Sequence, residues 1–223
     1  MTNTWTANAV TEITGEPARI AVLFPAAGRA VGRDPVDPAA DPLGLRHGTT
    51  DDEAREALVG ALLAAVPAAE AATSLGDLYR YGDDAERRGV LRGLNAAPEA
   101  ARDAAAVVDA GLELVADALR TNDPRLVAAA LGDFAGAHHD DHAWRHGVLK
   151  AHIMGIPVDV VARLDDRADT ELARMAAGMV AERRAAGREI NDDMRRVAAA
   201  ASPTASTTST TSSSITTTPT PGG

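Results

Sequence analysis

The sequence predicts an all-α protein, and three observations support that fold class. Hydrophobic residues make up 45% of the chain but aromatic residues only 3%. Alanine and leucine must therefore supply most of the core, and alanine has the highest helix propensity. Residues that start helices and residues that end them recur along the chain. No stretch alternates apolar and polar residues as a half-buried strand does.

The N-terminal part of the chain predicts one helix between two irregular segments. Residues 1–16 are polar and are predicted to be disordered. The spacing of apolar residues predicts a short helix over residues 17–31, with Ile20 and Leu23 on one side. Three Asp-Pro pairs follow within residues 34–42, and each proline disfavours helix in the residue before it. The chain is therefore predicted to remain a loop up to about residue 50.

From residue 51 onward, helix succeeds helix with brief connections. Asp83, Asp123 and either Asp140 or Asp141 are good N-caps, and the proline after Asp123 suits the first position of a helix. The predicted helices are residues 51–66, 75–81, 83–94, 101–119, 123–134, 140–153, 157–164, 165–187 and 191–200. We expect about eight short helices stacked as helical hairpins, like a short HEAT-like α-solenoid, with a compact bundle as the alternative.

Composition limits the classes of function. The net charge is -10, which argues against a nucleic-acid partner. Cysteine is absent, so thiolate chemistry is excluded. No stretch reaches the roughly 20 apolar residues that span a bilayer, and no secretion signal is recognised. We therefore expect a cytoplasmic protein without membrane insertion.

The last residues differ from the rest of the chain. Residues 201–223 consist mainly of threonine, serine and proline and contain no charged side chain. Such a segment buries too little apolar surface to offset the entropy of ordering, so a disordered tail is predicted. The predicted division is a disordered N-terminus over 1–16, a helical domain over 17–200 and this tail.

A histidine-rich segment is the main candidate site. His142 and His146 are four positions apart, so they share one face of the predicted helix and suit a zinc or iron ion, with Asp141 or Asp140 as a third ligand. Arg145 and Lys150 lie nearby, so the same segment could instead bind a small anion through His142, Arg145, His146 and Lys150. A solvated helix surface is the third interpretation.

Two further patterns have both structural and functional interpretations. Asp165, Asp166 and Asp169 match a DDxxD pattern that holds magnesium and diphosphate in prenyl-chain enzymes, but aspartates before a helix are ordinary caps. Arginines occur in two groups, which either stabilise helices or grip a phosphate or carboxylate. These groups are Arg87, Arg88 and Arg92, and Arg183, Arg184 and Arg188. No phosphate-binding glycine loop or nucleophile elbow is present.

Several segments taken together resemble the EboA-domain family. They are residues 23–33, 120–126, 141–145, 148–150 and 182–188, so the resemblance spans about residues 17–190. His152 departs from it, because the resemblance leads us to expect an apolar or aromatic residue there. The resemblance implies a gene cluster that makes or moves a secondary-metabolite precursor, with protein partners encoded in the same cluster. It implies no catalytic residues.

The sequence thus favours a non-catalytic helical accessory protein that binds pathway proteins or a small anionic metabolite. The alternative is a small metal-dependent enzyme that uses His142 and His146. A scaffold that assembles other proteins without a ligand is a third hypothesis.

Overall fold

A computed structural model describes residues 3–199, and within that range the chain folds as helices without a strand. The helices are α1 (Thr4–Gly15), α2 (Ile20–Val31), α3 (Thr50–Ala65), α4 (Ala68–Tyr81), α5 (Asp84–Ala96), α6 (Glu99–Arg102), α7 (Ala105–Ala118), α8 (Pro124–Ala129), α9 (Asp133–His138), α10 (Asp141–Ile153), α11 (Leu164–Arg167), α12 (Thr170–Ala185) and α13 (Asp192–Ala199). The all-α prediction is confirmed. The tail prediction for 201–223 lies outside the described residues.

The prediction of a disordered N-terminus is wrong for residues 4–15. Asn3 caps α1, because its side chain accepts a hydrogen bond from the backbone N–H of Trp5 over 2.9 Å. Ala9 and Ile13 share one face and are buried in the core, Ile13 completely. Polar composition concealed this helix, because a few apolar positions at helical spacing are enough to attach it to the core.

The helices are more numerous than the sequence predicted, because several predicted helices are interrupted. The segment 101–119 divides into α6 and α7, and the segment 165–187 divides into α11 and α12. Between Pro157 and Leu164 only residues 158–160 form a helical turn, of the 3-10 type. The HEAT-like stacking of hairpins stays a prediction.

Helices α3 and α5 pack against each other over the most extensive helix contact within residues 3–199, and glycine permits their close approach. A Cβ added at Gly93 would lie 2.5 Å from Cβ of Val59, and one at Gly89 would lie 2.3 Å from Cδ of Arg55. These two glycines are four positions apart on one face of α5, which lets the helix backbones approach closely.

The apolar residues form two clusters that meet at α8. Helices α1–α5 and α7 build the first cluster, whereas α10, α12 and the segment 156–164 build most of the second. Helix α8 contributes to both, since Leu126 and Ala129 belong to the first and Val127 and Ala128 to the second. The boundary between the clusters positions the site described below. Within residues 3–199, no helix is long and apolar enough to cross a membrane.

Candidate ligand-binding cavity

The structure places the histidine pair on the surface of α10. The rings of His142 and His146 meet edge to face with their centroids 4.5 Å apart, and both residues are exposed. Asp141 does not join them as a ligand, because its carboxylate accepts a hydrogen bond from Arg167 over 2.8 Å. Among residues 3–199, no group of three or more histidine, aspartate or glutamate side chains is arranged to hold a metal ion. The zinc or iron site therefore stays a prediction that rests on two imidazoles.

The two cations of the same segment have partners within the protein. The guanidinium of Arg145 binds the carboxylate of Asp169, which also caps α12. Lys150 Nζ donates a hydrogen bond to the carbonyl of Leu119 over 2.6 Å. Arg145 and Lys150 are thus directed to different helices, and ligand binding by these two residues with His142 and His146 stays a prediction.

The aspartates of the DDxxD pattern do not gather at one point. Asp169 binds Arg145, whereas Asp165 binds Arg196 of α13 over 2.9 Å. Asp169 also caps α12, as the structural interpretation of the pattern predicts, and the two ion pairs tie helices together.

The arginines of α5 divide between two faces of that helix. Arg88 is 5% exposed and donates from Nε to Asp52 over 2.8 Å. Arg92 donates from Nε to Glu56 over 2.7 Å. Arg87 lies on the other side, over the ring of Tyr79. In the second arginine group, Arg183 donates to the carbonyl of Glu189 beyond the end of α12.

A buried charge network, formed by Asp51, Asp52, Arg55 and Arg88, joins α3 to α5. Asp51, Asp52 and Arg55 are completely buried. Arg55 Nη1 contacts Asp51, and Thr49 Oγ1 accepts a hydrogen bond from Arg88 Nη2 over 3.1 Å. Two carboxylates and two guanidinium groups balance one another there, which is the condition under which buried charges are tolerated. The sequence alone predicts only that a helix begins near these two aspartates, at residue 51.

Next to this network lies a cavity of about 530 Å³, which we call the seam cavity because both hydrophobic clusters border it. Its walls come from the loop before α3, from α3, α5 and α8, and from the segment after α10. The residues used in the argument are Arg46, Glu56, Arg92, Asn95, Gly132 and Asp159. Pockets for small molecules commonly have this size and lie between packed units.

Asn95 holds the wall of the seam cavity in place. Its Nδ2 donates to the carbonyl of Ala129 over 2.8 Å, and its Oδ1 accepts from the backbone N–H of Phe134 over 3.0 Å. Gly132 lies against this amide, since a Cβ there would be 2.3 Å from Asn95 Nδ2. Asn95 thereby fixes the turn between α8 and α9 to the end of α5.

Glu56 and Arg92 place opposite charges on one wall. Burial raises the pKa of Glu56 above its ordinary value, although the adjacent guanidinium of Arg92 opposes that rise. Glu56 is consequently a carboxyl group that can gain a proton more readily than an exposed glutamate.

Arg46 and Asp159 form the exposed rim of the seam cavity. Arg46 Nε donates to Asp159 Oδ2 over 2.7 Å, and no residue among 3–199 accepts a hydrogen bond from Arg46 Nη1 or Nη2. The loop that presents Arg46 is shaped by Asp41, whose carboxylate accepts the backbone N–H groups of Leu45, Arg46 and His47. Burial opposes ionisation of Asp41, but these three donors outweigh it and hold its pKa below the ordinary value.

Sequence reasoning found Arg92 as a candidate but missed the other residues of the cavity. The loop containing Arg46 was predicted only as a loop, and Asn95 only as a helix end. Asp159 is distant in sequence from both. Charged residues in a loop between predicted helices were the one available signal.

Fold and site together define the class of protein: an all-α protein with a mixed-charge cavity between two hydrophobic clusters. Comparison with family models gives a match to EboA, described as metabolite traffic protein EboA, over residues 47–199. The chain therefore belongs to the EboA family, as the sequence resemblance indicated. The match includes α3 to α13 but begins after α1 and α2. No significant match was found among curated proteins or among solved structures.

Proposed function

We propose that this chain is a non-catalytic accessory protein that holds a small polar metabolite in the seam cavity. The observation that carries the proposal is the cavity itself: about 530 Å³, bordered by both hydrophobic clusters and lined by fixed donors and acceptors. Membership of a family described as metabolite traffic protein supports a metabolite as the occupant.

The charges around the cavity specify the chemistry of the metabolite. Two arginines and three carboxylates line it, namely Arg46, Arg92, Glu56, Asp133 and Asp159. The balance is mixed, so we propose a metabolite with both hydrogen-bond donors and acceptors, such as a hydroxylated or zwitterionic compound. The unpartnered Nη1 and Nη2 of Arg46 supply donors for a carboxylate or carbonyl of that compound.

The wider context forms part of the same proposal. We propose that the metabolite is a precursor of a secondary-metabolite pathway, that the chain acts in the cytoplasm, and that it contacts proteins encoded in the same gene cluster. No contact within residues 3–199 favours the metal-dependent alternative through His142 and His146.

The test is to release small molecules from protein purified from cells that contain the pathway and to identify them by mass spectrometry. Ala96 is an exposed residue of α5 that lines the cavity, so Ala96→Trp should occupy the space without disturbing the core. Ala64→Trp is the matched control, because Ala64 is equally exposed on α3 and does not line the cavity.

We expect one compound in stoichiometric amount with the wild type and with Ala64→Trp, and its loss with Ala96→Trp. Retention of the compound by Ala96→Trp would contradict the seam cavity as its site. Turnover of the compound by the purified protein would contradict a non-catalytic role.

A further inference from the structure

We propose that a second cavity, bordered by α4, α5 and α7, binds the phosphate group of a small molecule. The volume of this cavity is about 560 Å³. Its polar lining consists of Tyr79, Arg80, Arg87, Glu113, Asp117 and Arg120. None of these residues lines the seam cavity, so the two sites are separate.

The lining of this cavity has an excess of positive charge. Three arginines face two carboxylates there, whereas two arginines face three carboxylates in the seam cavity. The chain as a whole has a net charge of -10. A locally positive cavity on an acidic protein attracts an anion that the rest of the surface repels.

Arg87 is the main candidate for binding the anion in this cavity. Its Nε is buried and has no hydrogen-bond partner, and Arg87 forms no ion pair within residues 3–199. The guanidinium lies 5.5 Å from the centroid of the Tyr79 ring, a distance suited to a cation–π contact. A buried donor without a partner destabilises the folded state, and a bound anion would satisfy it.

One of the two carboxylates of this cavity, Asp117, already has partners. Asp117 accepts a hydrogen bond from the hydroxyl of Tyr79 over 3.1 Å and another from Arg120 Nη2 over 3.1 Å. Burial, together with Asp117, raises the pKa of Tyr79, so the phenol keeps its proton and donates it to Asp117. The negative charge of Asp117 is thus balanced by Arg120, which leaves Arg80 and Arg87 against the single remaining carboxylate of the lining, Glu113.

A phosphate group suits these two cations better than a single carboxylate. Arg80 has only a long contact with Asp77, 3.9 Å between Nη1 and Oδ1. Two guanidinium groups can each present paired N–H donors to different oxygens of a phosphate, which has three terminal oxygens and up to two negative charges. We infer a phosphorylated small molecule, whose phosphate group could belong either to a soluble compound or to a lipid headgroup.

The experiment is calorimetric titration of the full-length protein with pyrophosphate at low and high salt. We expect saturable binding that weakens as salt rises and becomes about tenfold weaker or more in Arg87→Ala. Arg87→Lys keeps the charge but loses the paired donors and should bind with intermediate affinity. Arg29→Ala is the matched control, since Arg29 is an exposed arginine of α2 and should be dispensable.

A second arm separates the two sources of the phosphate group. Sedimentation with phosphatidic acid vesicles, whose headgroup is a phosphate monoester, that is lost in Arg87→Ala would assign a lipid headgroup, whereas pyrophosphate binding without vesicle binding would assign a soluble compound. The proposal would be overturned if the protein bound neither pyrophosphate nor vesicles, or if Arg29→Ala weakened binding as much as Arg87→Ala does. Ala96→Trp should bind pyrophosphate and vesicles as the wild type does, because Ala96 lines the seam cavity and not the second cavity. The test is therefore independent of the proposal for the seam cavity.

Discussion

Arg46 Nε donates a hydrogen bond to Asp159 Oδ2 over 2.7 Å, although 113 positions separate the two residues in the chain. The pair connects the loop before α3 with the turn after α10, and both residues line the seam cavity. Their side chains are 34% and 53% exposed, so solvent weakens the attraction between them. The pair is therefore better suited to shaping the rim than to stabilising the fold.

Removal of this pair should change stability little. We expect Arg46→Ala and Asp159→Ala to lower the free energy of unfolding by about 1 kcal/mol or less each, with a coupling energy of similar size. Urea unfolding of the two single variants and the double variant measures these values. A loss well above 2 kcal/mol from either variant would show that the pair holds the two parts of the fold together.

Removal of a charge from the buried charge network should destabilise the protein much more than removal of the exposed pair. Asp51→Asn keeps the shape of the side chain but leaves Arg55 without its carboxylate in a completely buried position. The expected loss is about 3–5 kcal/mol, measured by urea unfolding. Arg195→Ala removes an exposed pair with Asp192 and should leave stability unchanged, which makes it the control. Equal effects of the two variants would contradict the account of the network.

Glycine on α5 should be essential for its packing. Gly93→Ala would place a Cβ 2.5 Å from Val59 Cβ, so we expect destabilisation by about 1–3 kcal/mol and partial recovery on adding Val59→Ala. Gly60 on α3 has open space around its Cβ position, so Gly60→Ala should stabilise by about 0.5–1 kcal/mol. Thermal unfolding compares the variants. Stabilisation by Gly93→Ala would show that α3 and α5 are farther apart than described.

His152 should make stability depend on pH. Burial lowers the pKa of this residue below 6.5, its ordinary value, although Asp193 opposes the change. The unfolded chain therefore takes up a proton at a higher pH than the folded chain. The free energy of unfolding should therefore be highest above pH 6.5, the ordinary pKa of histidine. It should decline as the pH falls from there through the pKa that His152 has in the folded chain.

His152→Phe should remove the contribution of His152 to this decline, because phenylalanine is apolar and cannot take up a proton. Measurements of unfolding free energy at pH 7.5 and 5.5 test the expectation, with exposed His146→Phe as the control. The difference between the two pH values should shrink in His152→Phe and persist in His146→Phe. An unchanged difference in His152→Phe would contradict the assignment to His152.

The sequence predicted those elements whose signals are local. Asp83 accepts a hydrogen bond from the N–H of Glu86 at the start of α5, and Asp140 accepts one from Ala143 at the start of α10, as their capping pattern indicated. Ile20 and Leu23, predicted on one side of a short helix, are both buried in the first cluster. Such predictions succeed because a cap and an apolar spacing lie within a few neighbouring residues.

The candidate site was not predictable in the same way. The seam cavity combines residues near positions 46, 92, 132 and 159, and only the packing of α8 between the two clusters brings them together. The histidine segment, in contrast, is conspicuous in the sequence because its residues are adjacent. Adjacency on one helix places side chains on a common surface, but it does not create a concave site.

The most direct test of the central claim is amide hydrogen exchange of the wild-type protein with and without the metabolite that it retains. We predict that the metabolite slows exchange in the walls of the seam cavity, residues 128–133 and 158–162, and leaves residues 141–150 unchanged. Protection confined to residues 141–150 would contradict the seam cavity and would favour the histidine segment as the binding site.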